Sequence, residues 1–130
     1  MVIRDEAHSR GLVLVVEENE GMRRAIDNLL DAAGFSGVAY ASAEALMAGG
    51  QVEDGVCVIS DIKLPGMSGF DLLTELRGRG TPVILIAAHG GARTRSKAKR
   101  RGAAAYLEKP FAGSALLAAV ESVAGAGRRK

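Results

Sequence analysis

A chain of 130 residues is one domain's worth, long enough to build a core without disulfide or metal staples. No apolar run reaches the roughly 18 residues of a membrane-crossing helix. Aromatic residues at 4% give no stacking platform for single-stranded nucleic acid, and the lone Cys57 excludes an internal disulfide. The formal charge of +2 hides an asymmetry: residues 1–65 hold 5 Lys+Arg against 11 Asp+Glu, and residues 66–130 hold 12 against 4. Opposed halves imply a polar site or two distinct partner surfaces.

In chain order, residues 1–10 read as a loose tail, and Leu12 to Val16 form an unbroken apolar run, as in a strand buried on both faces. Met22, Ala25, Ile26, Leu29, Leu30 and Ala33 follow at helical spacing, with Gly34 placed as a C-terminal cap. Val38–Tyr40 is a short second strand. Ser42 caps a helix over residues 43–48, which Gly49 and Gly50 end. A third strand runs from Gly55 to Ser60 and delivers Asp61. Past the turn Leu64–Gly69 lies a helix carrying Phe70, Leu72, Leu73 and Leu76. Residues 82–87 and 103–107 are the fourth and fifth strands. A last helix spans roughly residues 112–123, with 125–130 as a tail, leaving 11–124 as the domain.

Strands alternating with helices five times over predict an α/β fold, a (βα)5 doubly wound parallel sheet. The flavodoxin-like strand order 2-1-3-4-5 leads. Such sheets place their site beyond the carboxyl ends of the strands. There the sequence puts Glu17 and Glu18 after strand one, Asp61 after strand three and Lys109 after strand five. Three carboxylates meeting at one edge repel unless a cation sits among them, and hard oxygen donors suit Mg²⁺. A lysine ammonium beside them favours an anionic group such as a phosphoryl. The plainer reading of Glu17 and Glu18 is an acidic pair at a helix amino end.

Val15-Val16-Glu17-Glu18, Ser60-Asp61-Ile62-Lys63-Leu64-Pro65-Gly66-Met67-Ser68-Gly69 and Glu108-Lys109-Pro110-Phe111 together resemble the response-regulator receiver domain of bacterial two-component signalling. The likeness extends from about Leu12 to Val123. It implies a cytoplasmic, non-enzymatic signalling module that takes a phosphoryl group from a histidine kinase or phosphotransfer protein onto Asp61. Glu17, Glu18, Asp61 and the backbone carbonyl of Lys63 would hold Mg²⁺, and Lys109 would contact the phosphoryl group. Lys109–Pro110 matches a peptide bond that is cis in the family. No general base is needed, because the aspartate is expected to be already ionised near neutral pH. The module would act on a downstream protein as a monomer or weak dimer, with no membrane contact and nucleic acid an unfavoured partner.

The sequence departs from the family pattern in three places. Both members of the acidic pair are Glu, whose extra methylene displaces each carboxylate by about 1.5 Å and should weaken a geometry-demanding Mg²⁺ site. Ala87 stands where the family carries Ser or Thr, so a hydroxyl donor worth about 1.5–3 kcal/mol to a charged acceptor is absent. Coupling of phosphorylation to Tyr106, at the family's switch-aromatic position, is then expected to be muted; otherwise Tyr106 is an ordinary strand residue. Thirdly, Arg93, Arg95, Lys97, Lys99, Arg100 and Arg101 crowd the fourth helix, whose only apolar residues are Ala92 and Ala98. This stretch reads either as a solvated, frayed helix or as a surface for an acidic or nucleic-acid partner. The same departures leave open a degenerate receiver that binds partners without phosphorylation. His89 reads as a solvated loop residue, Cys57 as a small buried hydrophobe.

Overall fold

The computed structural model describes residues 10–127; the expected terminal segments 1–9 and 128–130 lie outside the described residues. Five strands, β1 (Leu12–Val16), β2 (Ser36–Tyr40), β3 (Gly55–Asp61), β4 (Val83–Ala87) and β5 (Ala105–Glu108), form one parallel sheet in the order β2-β1-β3-β4-β5. Between and after them run α1 (Glu20–Ala32), α2 (Ala43–Gly49), α3 (Gly69–Arg77), α4 (Gly91–Arg100) and α5 (Gly113–Gly127). This is the expected doubly wound, flavodoxin-like architecture.

Alternation along the strands divides the core into two layers. Leu14, Val16, Val58 and Leu85 face α2, α3 and α4, meeting Leu46, Leu72, Leu73, Leu76 and Ala98. Val13, Val15, Ile59, Ile84 and Ile86 face α1 and α5, meeting Ile26, Leu30, Leu116 and Val120. Covered on both sides, β1 and β4 need no polar alternation, which is why they read as unbroken apolar runs. Cys57 is fully buried in the second layer, and burial pushes its thiol up to about 12. It is inert. No helix among the described residues is long and apolar enough to cross a membrane.

Boundaries moved where backbone pairing overrode side-chain pattern. Ser36 and Gly37 join β2 because they pair with Leu12 and Val13. β5 is shifted to Ala105–Glu108 by its register with Ile84–Ala87. A single 3-10 turn at Val52–Asp54, unheralded by any apolar pattern, precedes β3. Helix α5 continues to Gly127, so residues 125–127 belong to it rather than to a tail. Arg10 is likewise no loose residue. Its guanidinium lies 4.7 Å over the Phe35 ring and 2.9 Å from Glu121 on α5.

Candidate functional site

Parallel pairing of β1 with β3 sets Val16 opposite Ser60, so the next residues, Glu17 and Asp61, emerge together at the carboxyl edge of the sheet. Lys109 arrives from the far side of β4: its backbone N–H donates to the Ala87 carbonyl at 2.8 Å, and the Lys109–Pro110 bond is cis. The ammonium then reaches across to lie 3.0 Å from Glu17 Oε1 and 3.1 Å from Asp61 Oδ1. The other Glu17 oxygen, Oε2, accepts the Asn19 N–H at 2.9 Å. Only 2% of Glu17 and 7% of Asp61 is exposed, so two carboxylates share one ammonium in a poorly hydrated pocket.

The arrangement favours the protonated form of Asp61. Burial first, then the facing Glu17 carboxylate, push Asp61 from 3.8 up to about 7, against the pull of Lys109. Burial also works upward on Glu17, but hydrogen bonds from Asp61, the Asn19 N–H and Lys109 outweigh it and hold the group below its ordinary value. For Lys109 burial works downward and the two carboxylates prevail, raising it. The expectation of an aspartate already ionised near neutral pH did not include this upward push. Desolvation was invisible in the sequence, whereas the repulsion between carboxylates at one sheet edge was expected from it.

Glu18 stands apart from the cluster, whereas Lys63 was expected to contribute only its backbone carbonyl. Glu18 is exposed, and among the described residues no group of three His, Cys, Asp or Glu side chains is close enough to hold a metal ion. Lys63 is exposed on the loop after β3. Arg23 on α1 fixes the backbone here, donating to the carbonyls of Glu17 at 2.8 Å and Glu18 at 2.9 Å. Asn19 closes the same corner by capping α1, its side chain accepting from the Met22 N–H.

The β3–α3 loop is pinned from three directions. Ser68 and Asp71 form a reciprocal capping box at the start of α3. The Gly69 N–H donates to the Ile62 carbonyl at 2.8 Å, and a Cβ at Gly69 would overlap the backbone of Asp61 and Ile62, so only glycine allows this approach. Glu44 of α2 accepts the Met67 N–H at 2.7 Å. Nothing in the spacing of Glu44 announced that role.

At the end of β4, Ala87 is buried and adjoins a cavity of about 180 Å³ lined by Ile62, Lys63, Ala88, His89, Gly90 and Thr94. Tyr106 is not an isolated strand residue. Its hydroxyl donates to Glu108 Oε2 at 3.0 Å, the same oxygen accepts the Gly91 N–H at 2.8 Å, and Arg95 lies 4.8 Å over the ring. A Cβ on Gly90 would overlap the Tyr106 hydroxyl. Burial and the Glu108 carboxylate raise the Tyr106 pKa. Glu108 was read only as part of the motif around Lys109; its two-residue spacing from Tyr106, which puts both on one face of a strand, was the available signal.

Strand order and a carboxylate–ammonium cluster at the switch-point edge place the chain among doubly wound α/β proteins with a polar cluster at the carboxyl ends of the strands. More narrowly, it belongs to the response regulator receiver domain family, whose model matches residues 13–121. It is similar to the transcriptional regulatory protein FixJ of Azorhizobium caulinodans, 36% identical over 115 residues, covering 87% of this chain and 54% of that protein. Nodulation protein W of Bradyrhizobium diazoefficiens is 35% identical over 127 residues, covering 96% and 56%. The chain thus spans about half the length of the curated relatives it matches. Among solved structures, full-length FixJ from B. japonicum superposes with a TM-score of 0.80 at 32% identity, covering 92% of this chain and 60% of that one. The crystal structure of FixJ-N gives 0.77 at 29%, covering 88% and 94%. Receiver domains are signalling modules of two-component systems; they interact with histidine kinases or other phosphodonors, and phosphorylation with Mg²⁺ is standard for them.

Proposed function

We propose that this chain accepts a phosphoryl group on Asp61. The observation that carries the reading is the shared Lys109 ammonium, 3.1 Å from Asp61 and 3.0 Å from Glu17 at the carboxyl edge of the sheet. In the transfer, an Asp61 carboxylate oxygen attacks the phosphorus of a phosphohistidine. The O–P bond forms as the P–N bond breaks, and the imidazole nitrogen leaves with the electron pair. Lys109 neutralises charge on the transferring group, and Glu17 holds the ammonium in place.

The two buried carboxylates, Glu17 and Asp61, are hard oxygen donors that suit a divalent cation, and with both ionised one negative charge remains after Lys109. Glu17, Asp61, Glu18 and the Lys63 carbonyl would hold Mg²⁺, which supplies positive charge against the phosphoryl oxygens and favours the ionised form of Asp61. The expected partners are a histidine kinase or phosphotransfer protein upstream and a downstream protein that reads the modified surface. Incubation with Mg²⁺ and a small acyl phosphate, followed by intact mass, should show gain of one phosphoryl group, absent in Asp61→Asn. Labelling that persists in that variant would refute the assignment.

A second reading is favoured by Ala87, which offers no hydroxyl to a phosphoryl group, and by the Tyr106–Glu108–Gly91 contacts, which involve only the chain's own groups. On that reading the surface around Tyr106 is presented without phosphorylation. Amide shifts at Tyr106 and residues 91–101 separate the two: they move on phosphorylation in the first and stay fixed in the second. Ala87→Thr should enlarge the movement, since it restores a contact made only to the phosphoryl group.

A further inference from the structure

The cations of α4 divide between two sides of the helix. Arg95 and Lys99 turn toward β5, where Arg95 lies over the Tyr106 ring. On the other side, Arg93, Lys97 and Arg100 recur at steps of four and three residues and form one exposed stripe. Arg101 continues that stripe, and Arg77 joins it from the end of α3. The Arg77 guanidinium donates to the Arg101 carbonyl at 3.2 Å, and a Cβ at Gly102 would overlap it. Arg101 donates to the Thr74 hydroxyl at 2.7 Å. Both acceptors are neutral, so neither charge is compensated.

None of these five cations forms an ion pair with a carboxylate among the described residues. Two acids of α3 are engaged elsewhere, Asp71 in the capping box and Glu75 with Arg79. Like charges four residues apart, as in Arg93–Lys97 and Lys97–Arg101, cost a helix about 0.2–0.5 kcal/mol per pair. An external polyanion removes that cost. The composition of the ridge argues against a protein as that polyanion. Protein interfaces gather exposed aromatic and apolar groups at their centre and deplete charge there. Here the ring at the centre, Phe70, is buried and covered by Lys97 at 4.4 Å and Arg101 at 5.5 Å. Four of the five cations are arginines, whose planar forks match phosphate oxygens in pairs.

We propose that the α3–α4 ridge, Arg77, Arg93, Lys97, Arg100 and Arg101, binds the phosphate backbone of duplex DNA. A duplex carries about one negative charge per 1.7 Å of its axis, so one short ridge meets several phosphates at once. The ten-residue helix is about 15 Å long, and the major groove of B-form DNA, about 12 Å wide, admits a helix between its phosphate walls. The deep, narrow groove of A-form RNA does not. The scarcity of aromatic residues, which made nucleic acid an unfavoured partner, bears on base stacking and leaves backbone contact open. The contact does not depend on phosphoryl transfer at Asp61 and lies on the side of α4 turned away from β5.

The test is fluorescence anisotropy of the full chain with three labelled probes over a range of salt concentrations: a short DNA duplex, an RNA duplex of the same sequence and a poly-glutamate peptide. The DNA duplex should bind at low salt, with log affinity falling against log salt at a slope of about −4 for five phosphate contacts. Replacing both Arg93→Gln and Arg100→Gln should weaken it roughly tenfold or more and flatten the slope by about 2. The double variant Arg95→Gln and Lys99→Gln removes the same net charge from the β5 side and should leave the slope unchanged. All four positions are exposed, and an unchanged melting curve verifies the fold of each variant. The proposal is overturned if the DNA duplex fails to bind at low salt, or if the two double variants weaken it equally. Equal or tighter binding of the RNA duplex or of the peptide overturns it as well. Phosphorylation of Asp61, read separately by mass, is unaffected by any of these outcomes.

Discussion

Helices α3 and α4 both leave the carboxyl edge of the sheet directly after a residue that matters to the site, yet they are held by opposite means. α3 follows Asp61 and buries five of its nine residues, Gly69, Phe70, Leu72, Leu73 and Leu76, behind a complete capping box. α4 follows Ala87, buries only Ala98 of its ten residues, and has no side-chain cap. Its anchors are the Glu108 oxygen on the Gly91 N–H and the cation–ring contacts of Arg95 and Lys97. The lesson is a division of labour. The loop that follows Asp61 is fixed by packing and capping, whereas the neighbouring helix is held by a few polar contacts that a change of charge nearby can rearrange.

The widest contrast is energetic. Leu72→Ala should destabilise the chain by about 2–5 kcal/mol, whereas Ala98→Gly should cost about 1–2 kcal/mol, the helix-propensity difference plus one buried methyl. Urea unfolding followed by circular dichroism measures both, and equal costs would erase the distinction between the helices.

A smaller effect lies in pH. Asp61 is raised from 3.8 to about 7, so between these values the folded metal-free chain binds more protons than the unfolded one. Its contribution to stability is full below about 4 and is lost as pH rises through about 7. Thermal melts in chelator should therefore decline across that window more steeply in the parent than in Asp61→Asn. If the two fall in parallel, the carboxylate pair is not what strains the pocket.

The smallest change should come from Glu108→Gln. It weakens one acceptor for the Gly91 N–H and the Tyr106 hydroxyl, worth about 0.5–1.5 kcal/mol locally. Amide exchange should quicken in the first turn of α4 and remain unchanged in α3. Uniform quickening in both helices would show that α4 is not separately anchored.

Much of this was legible in the chain itself, for identifiable reasons. β1 and β4 announced themselves because burial on both faces demands continuous apolar residues, and Ser42 marked the start of α2 because a free N–H needs an acceptor. Strand order followed from chirality and connection rules, and with it the meeting of Glu17, Asp61 and Lys109. The part that stayed hidden depends on what lies opposite in space. Spacing alone could not separate the inward Glu17 from the exposed Glu18, and the upward push on the Asp61 pKa arises from burial beside a second carboxylate. Glu44 reaches the site loop across 23 positions of sequence. The basic fourth helix was open between a frayed segment and a binding face; the structure gives a regular ten-residue helix, its single buried alanine set against the first core layer.

The contact of Arg10 with Phe35 and Glu121 has a practical corollary. It gathers the beginning of β1 and the later turns of α5 at the amino ends of the strands, on the side of the sheet away from Asp61 and Lys109. A surface tether, a fluorophore or a fused reporter attached near either of these segments would point away from the acidic pocket. Immobilised in that way, the domain leaves its working end open to solution, so Mg²⁺ and phosphodonors can be presented to it in sequence on the same molecules.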